Sequence, residues 1–308
     1  TNPIEDLKNI YGLYKIYKNI KPDAVLQYTI KPNIYGTIAA SILNIPTINN
    51  ITGLGILFVK QSLVTKIAKW LYKVSQKKAT KIFFQNQDDF KIFVDEGLIA
   101  QEKCDVLPGS GVDIETFEPV EKEDDGVFRF LVASRMLWEK GIQEFVDAAK
   151  IIKQKYPNIQ FQILGHFDEQ NPAAISKEQM NLWIKDGYIN YLGSSDNVRI
   201  EISKADCIVL PSFYREGTPR ILLESASMAK PIITTNNVGC RDVVDDGING
   251  YLCEVRNAQD LASKMELMIN LPNKDRKSMG EAGRGKIVEE FSEEIVINKY
   301  LESISEIL

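Results

Sequence analysis

Histidine is almost missing from this chain: His166 is the only one in 308 residues. A cluster of imidazole metal ligands is therefore excluded, as is any acid/base scheme that needs two histidines. The four cysteines, Cys104, Cys207, Cys240 and Cys253, show no C-x-x-C spacing. They read as reduced core residues, with neither a zinc site nor a disulfide framework. No D-x-D occurs. The pairs Asp88-Asp89, Asp124-Asp125 and Asp245-Asp246 read as helix or turn surface, so no metal and no other cofactor is expected. No apolar run approaches the ~18 residues of a membrane span. Internal repeats, low-complexity tracts and heptad seams are lacking as well.

Arginine is absent from the first 81 residues, which hold twelve lysines against Glu5, Asp6 and Asp23. That segment carries a net +9, leaving −14 for the rest of a chain whose total is −5. Such asymmetry suggests a basic face on a first domain. Without arginines and interleaved aromatics, nucleic acid is not the expected partner.

What is present is an alternation of short apolar strands and amphipathic helices. "PDAVLQYT" (22–29), "PTINNI" (46–51), "KIFFQN" (81–86) and "CDVLPG" (104–109) read as buried strands, with helical periods over 4–20, 33–44, 60–78 and 87–97. The alternation restarts with strands at 128–134, 159–165, 188–193, 206–212 and 230–236. Helices fit 141–156, 173–186, 197–204, 219–229, 258–271, 274–290 and 292–306. This is α/β architecture with two doubly wound, Rossmann-like domains in tandem. The acidic stretch "EPVEKEDDG" (118–126) reads as the linker. Residues 1–117 form the expected first domain and 118–291 the second, with the terminal helix 292–308 rejoining the first. The first domain opens on a helix, so it reads as truncated at its N-terminus, with a first strand expected upstream of Thr1.

Ligands of open α/β sheets sit at the carboxyl ends of strands. After 128–134 comes "SRMLWEKG", with Arg135 and Lys140 in one loop. A fork and a point charge together suit a diphosphate. After 206–212 comes "FYREGTPRILLE". Thr218 is a candidate N-cap with Pro219 in the first turn, and Gly217 allows close backbone approach. The N–H groups of Thr218, Arg220 and Ile221 then offer an anion site. Glu216 and Glu224 bracket that site. A carboxylate is repelled by phosphate, so each is expected to accept hydrogen bonds from neutral hydroxyls. Ordinary surface cations and helix-face glutamates are the plainer reading of each piece alone.

Taken together, "REGTPRILLESASMAKPIITTNNVGCRDVVDDGINGYL", "SRMLWEKG" and "LPGSGVDIETF" resemble the retaining GT-B glycosyltransferases of family 4, the glycosyl transferases group 1. The resemblance runs from about residue 22 to near the end. It implies a nucleotide sugar, UDP-linked by expectation, in an interdomain cleft. Arg135 and Lys140 would hold the diphosphate, Glu216 the donor sugar and Glu224 the ribose, with His166 and Ser195 lining the donor side. "YTIKPNIYGTIAA" and "NITGLG" resemble bacterial members that extend lipid-linked oligosaccharides for capsule, O-antigen or N-glycan assembly. Lys31, Thr52, Gly53 and Gly55 would then face a lipid-linked saccharide acceptor. Where many relatives carry a histidine, this chain has Asn49, Asn50 and Thr52. A hexosyl- or N-acetylhexosaminyltransferase is implied, cytoplasmic and peripheral at the inner face of the cytoplasmic membrane. A GT-B-like epimerase or phosphorylase, or a nucleotide-binding fragment without activity, remains the alternative.

One further stretch is basic and amphipathic. "VKQSLVTKIAKWLYKVSQKKATKI" (59–82) places Leu63, Ile67, Trp70, Leu71 and Val74 on one face, with Lys60, Lys66, Lys69, Lys73, Lys77 and Lys78 around them. The stripe is expected to pack on the sheet, and the lysines to present an anionic membrane with docking charge.

Overall fold

The computed structural model describes residues 3–54 and 63–308. Gly55, Lys60 and the expected start of the 60–78 helix lie outside the described residues. The chain divides into two compact units. One comprises Thr1–Ser110, Arg215–Thr218 and Glu294–Leu308, and the other Gly111–Tyr214 and Pro219–Glu293.

The first unit has a parallel sheet in the order β1 (Val25–Tyr28), β2 (Thr47–Ile51), β3 (Lys81–Phe84), β4 (Cys104–Val106). Its helices are α1 (Pro3–Ile20), α2 (Thr37–Ile42), α3 (Leu63–Gln76), α4 (Gln87–Asp95) and the C-terminal α11 (Glu293–Ile307). Side chains alternate along a strand, so each strand feeds two cores. Ile51, Ile82 and Phe84 pack with Ile34, Tyr72 and Phe93, while Ile48 and Phe83 pack with Val296 and Tyr300 of α11.

β2 is buried along its whole length although it reads Thr-Ile-Asn-Asn-Ile. Buried amides need partners. Asn49 Nδ2 donates to Gln76 Oε1 at 2.6 Å and to Thr37 Oγ1 at 2.8 Å. Asn50 Nδ2 donates to the Tyr300 hydroxyl at 2.8 Å. Asn33 Nδ2 reaches the Asn50 carbonyl at 2.7 Å, and Gln76 Nε2 the Asn33 carbonyl at 2.8 Å. These bonds hold the π-helical turn Pro32–Gly36 that follows β1. Thr29, just before it, has φ 68°, a strained value for a β-branched residue.

Two expectations are corrected here. Most of the stripe on α3 does not pack on the core: Leu63, Ile67, Trp70 and Val74 are 74%, 50%, 61% and 44% exposed, and only Leu71 of the five is partly buried against it. The helix turns Thr65, Ala68, Tyr72 and Gln76 inward instead. Tyr72 has the volume and the edge-to-face contact with Phe93 that fill the core, and Gln76 serves the buried amides. Asp89 is not on the surface either. It is fully buried in the first turn of α4, with Arg215 Nε 2.6 Å from its Oδ1.

The second unit carries six parallel strands: β5 (Arg129–Ala133), β6 (Gln160–Leu164), β7 (Asn190–Tyr191), β8 (Cys207–Leu210), β9 (Ile232–Thr235) and β10 (Gly250–Cys253). Their order is β10-β9-β8-β5-β6-β7, a doubly wound sheet whose order reverses between β5 and β8. β10 has no counterpart in the sequence reading, because its apolar run is only Tyr251-Leu252-Cys253 beside a glycine-rich turn. Helices α5 (Ile142–Lys155), α6 (Lys177–Lys185), α7 (Val198–Lys204), α8 (Arg220–Ser227), α9 (Ala258–Asn270) and α10 (Asn273–Glu290) complete the unit. Phe130, Val132, Phe161 and Ile163 point into a core with α5 and α9, and Leu131, Ile208 and Ile232 into one with α8. Cys207, Cys240 and Cys253 are buried free thiols, and Cys104 of the first unit is partly exposed.

Lys230 precedes β9 and is buried. Its ammonium donates to Ser203 O at 2.8 Å and Ala205 O at 2.9 Å, at the end of α7. Burial pushes its pKa down to about 8, against the pull of nearby Asp206. Between that value and the ordinary lysine range the unfolded chain binds the extra proton. The Lys230 contribution to stability therefore increases as pH rises through this window. The stability difference between wild type and Lys230→Met should grow in favour of wild type by about 2 kcal/mol from pH 7.5 to pH 10. Urea melts at the two pH values check it; a constant difference rejects the assignment.

Candidate active site

The reversal of strand order puts the loops after β5 and β8 side by side, and the second unit builds its polar site there. The backbone carbonyl of Glu139 joins them. It accepts hydrogen bonds from Ser212 Oγ at 3.2 Å, Phe213 N at 3.0 Å and Tyr214 N at 3.2 Å. Gly141 follows with φ 75°, and a Cβ there would lie 2.0 Å from the Pro211 carbonyl oxygen. Only glycine allows both the left-handed turn and this approach. The ammonium of Lys140 lies 5.6 Å from the centroid of the Tyr214 ring. Tyr214 is itself held by Asn237 Nδ2, which donates to its carbonyl at 2.7 Å.

Arg135 stands at the carboxyl end of β5, half exposed, with Nη1 3.3 Å from Asp168 Oδ2. An exposed pair of this kind contributes little stability, ~0–1 kcal/mol, so the guanidinium keeps donors for a ligand. The loop is stitched to the segment after β6: Met136 N donates to His166 O at 3.1 Å and Ile175 N to Met136 O at 2.9 Å. Gly165 lies against the Ser134 carbonyl, where a Cβ would be 1.7 Å away. His166 is exposed beside it. Ser195, also exposed, uses its hydroxyl to accept from Asn197 N at 3.1 Å.

α8 begins at Arg220, with Pro219 at the N-cap position. The expected cap, Thr218, is spent elsewhere, donating its hydroxyl to the Gln85 carbonyl at 3.0 Å. As the first helical residues, Arg220 and Ile221 have no intrahelical acceptor for their N–H groups. Glu224, the fifth residue of α8, is buried, and burial raises its pKa while Arg220 opposes the shift. Arg220 Nε sits 3.2 Å from Glu224 Oε1. A buried carboxylate facing one cation retains lone pairs for neutral donors.

Glu216 and Gly217 belong to the first unit. Asn86 Nδ2 donates to Glu216 O at 3.3 Å and to Gly217 O at 3.4 Å. Gly53, with φ 122°, abuts Gly217 backbone to backbone: a Cβ on Gly53 would lie 2.7 Å from Gly217 N. Thr52 supplies a carbonyl 2.4 Å from where a Cβ of Gly217 would stand. Lys31 is exposed, 3.9 Å from Asp6. Sequence reasoning missed Asn86 and Asp89 as anchors, Asp168 as the partner of Arg135, and Tyr214 under Lys140. Asn86 was findable, since an Asn three residues before an Asp is a helix-start signature; side-chain pairing across distant loops leaves no such mark.

Two Rossmann-like units and this pair of loops define a glycosyltransferase of GT-B fold. The family model for glycosyl transferases group 1 matches residues 113–286, more than half the chain, and the chain belongs to that family. Residues 1–86 match a glycosyl transferase 4-like model. An N,N'-diacetylbacillosaminyl-diphospho-undecaprenol alpha-1,3-N-acetylgalactosaminyltransferase of Campylobacter jejuni is 29% identical, over 97% of this chain and 81% of its own. A UDP-Gal:alpha-D-GlcNAc-diphosphoundecaprenol alpha-1,3-galactosyltransferase of Escherichia coli is 28% identical, over 94% of this chain and 76% of its own. Among solved structures, a Rickettsia africae glycosyltransferase superposes with TM-score 0.80 at 22% identity, over 100% of this chain and 82% of its own. Anabaena HepE, solved with UDP and glucose, gives 0.79 at 20% identity, over 95% and 80%.

Replacing Gly141 tests the junction of the two loops. Gly141→Ala forces a left-handed alanine, ~1–2 kcal/mol, and a backbone clash besides. We expect about 2 kcal/mol or more of destabilisation in urea melts with an unchanged slope. A loss under about 0.5 kcal/mol would mean that the loops are not locked at this point.

Proposed function

We propose that this glycosyltransferase moves a sugar from a UDP-linked donor to a hydroxyl of a lipid-linked saccharide, with retention at the anomeric carbon. The observation that carries the donor half is the joining of the Arg135–Lys140 loop to the Ser212–Tyr214 loop through one carbonyl, Glu139 O, at the switch point of the sheet. Two cations and free helix N–H groups supply positive potential where a leaving diphosphate develops charge. The acceptor half is supported by the activities of the Campylobacter and Escherichia relatives, both on undecaprenol diphosphate saccharides.

In this reading Arg135 and Lys140 hold the diphosphate, Glu224 accepts from the ribose hydroxyls and Glu216 from the donor sugar. Gly217, Thr218, Arg220 and Ile221 form the surrounding backbone, with His166 and Ser195 at the rim. Lys31, Thr52 and Gly53 lie on the acceptor side. The bond from the anomeric carbon to the diphosphate oxygen breaks, and the acceptor oxygen bonds on the same face. Its proton passes to the leaving diphosphate. The protein's part is orientation and charge stabilisation.

Calorimetry with UDP tests the donor assignment. Arg135→Ala and Lys140→Ala should each weaken binding by about 1.5 kcal/mol or more. Glu224→Gln should weaken UDP as well, whereas Glu216→Gln should spare UDP and lower transfer. Unchanged affinity in both cation variants removes the pair from the site; the opposite glutamate pattern exchanges their roles.

The same reading takes α3 as a membrane-facing helix. No helix among the described residues is long and apolar enough to cross a membrane. The exposed stripe Leu63, Ile67, Trp70, Val74 is flanked by exposed Lys66, Lys73, Lys77 and Lys78, while Lys69 is paired with Glu96 at 2.6 Å. Each engaged lysine adds ~1 kcal/mol on an anionic surface, screened by salt. Vesicle co-sedimentation should show salt-sensitive binding to anionic lipid, weakened by Lys66→Glu with Lys73→Glu and abolished by Ile67→Glu with Trp70→Glu. Wild-type sedimentation by the latter variant would sink the idea.

A further inference from the structure

The pair of fully buried Asp89 and part-buried Arg215 is not used by the chemistry above, and an ion pair taken out of water is poor evidence for stability, since desolvation consumes most of its attraction. Its surroundings suggest another role. Residues 85–89, the end of β3 and the first turn of α4, hold the segment 215–218 at every position. Arg215 Nε meets Asp89 Oδ1 at 2.6 Å, Asn86 Nδ2 takes the carbonyls of Glu216 and Gly217, and Thr218 Oγ1 donates to Gln85 O. Asn86 also caps α4, accepting from Asp89 N at 2.7 Å, so the anchor is itself rigid. The backbone N–H of Leu54 donates to the Asp89 carboxylate as well. One carboxylate thus binds both the segment carrying Glu216 and the segment carrying Thr52 and Gly53.

We infer that Asp89, acting through Arg215, is a positioning residue that fixes Glu216 for transfer and ties its placement to the Thr52–Leu54 segment. The Glu216 carboxylate has one residue of backbone between it and the ion pair, and the backbone contacts of Asn86 are long. The Arg215–Asp89 bond, short, charge-assisted and ending on a fully buried carboxylate, adds a stronger restraint on the orientation of that backbone. The inference rests on the reading of Glu216 as the donor-sugar contact. It adds that acceptor-side and donor-side segments share one anchor, so displacing either disturbs the other.

The test compares Asp89→Asn, Arg215→Gln, Arg215→Lys and the double variant Asp89→Asn/Arg215→Gln in the 308-residue protein. UDP affinity should stay within twofold of wild type in all four. Turnover with a panel of UDP-sugars and an undecaprenyl-diphosphate saccharide should fall at least tenfold in Asp89→Asn and Arg215→Gln. KM for the UDP-sugar should change less than turnover. Arg215→Lys should recover part of the loss. The double variant should be no slower than the slower single one, because both act through one contact. Independently of activity, amide hydrogen exchange over 213–219 should accelerate at least tenfold in Asp89→Asn and Arg215→Gln. If Asp89→Asn fails to fold, Arg215→Lys and the double variant, which leaves no lone buried charge, carry the comparison. Wild-type turnover in the variants, or multiplicative losses in the double variant, overturns the inference. Faster exchange with no turnover in wild type would instead reject the proposed function and keep the anchor.

Discussion

The second unit depends most on three hydrogen bonds to a single atom, the carbonyl oxygen of Glu139. Parallel sheets leave their strand-end loops independent of one another, since hydrogen bonds run between strands and stop where the strands stop. Without a cross-link, Lys140 and Tyr214 would each sample their own positions. Ser212, Phe213 and Tyr214 convert two loops into one object, and Gly141 permits the approach. In the proposed reading this placement matters, because ordering the donors only when a diphosphate arrives costs binding energy.

Much of the fold was legible in the sequence because it is written in local pattern. Nine of the ten described strands and every described α-helix follow from apolar periodicity, and β10 escaped because three apolar residues beside a turn give no period. The loops after 128–134 and 206–212 could be read as a site because strand ends are where such sheets bind ligands. The partners within those loops could not. Asp168 lies far along the chain from Arg135, and Asp89 from Arg215, and nothing in a run of residues marks which acid has been taken inside.

The α3 helix shows where pattern reading goes wrong in sign. Its apolar stripe is strong, yet the sheet takes the opposite face. Periodicity finds that a helix is two-sided; it does not say which side the core takes. In this unit the core under α3 is partly polar, organised by Asn33, Asn49 and Gln76, so a helix face offering Tyr72 and Gln76 fits it better than one offering Leu63 and Trp70. The asparagines of β2 are likewise occupied in holding the backbone of the Pro32–Gly36 turn.

The three tryptophans fall in positions that give the two units separate optical signals. Trp70 lies on the exposed face of α3, and indole emission shifts to shorter wavelength when water is replaced by an apolar medium. Trp138 sits inside the Arg135–Lys140 loop, edge-to-face with buried Trp183 at 5.8 Å between ring centroids. Exposed on one side and touching a neighbouring indole on the other, Trp138 is open to both quenching and energy exchange. A chain with Trp70 replaced by phenylalanine would therefore report on the contact between the β5 loop and α6, and one with Trp138 and Trp183 replaced would report on α3 alone, with no label attached.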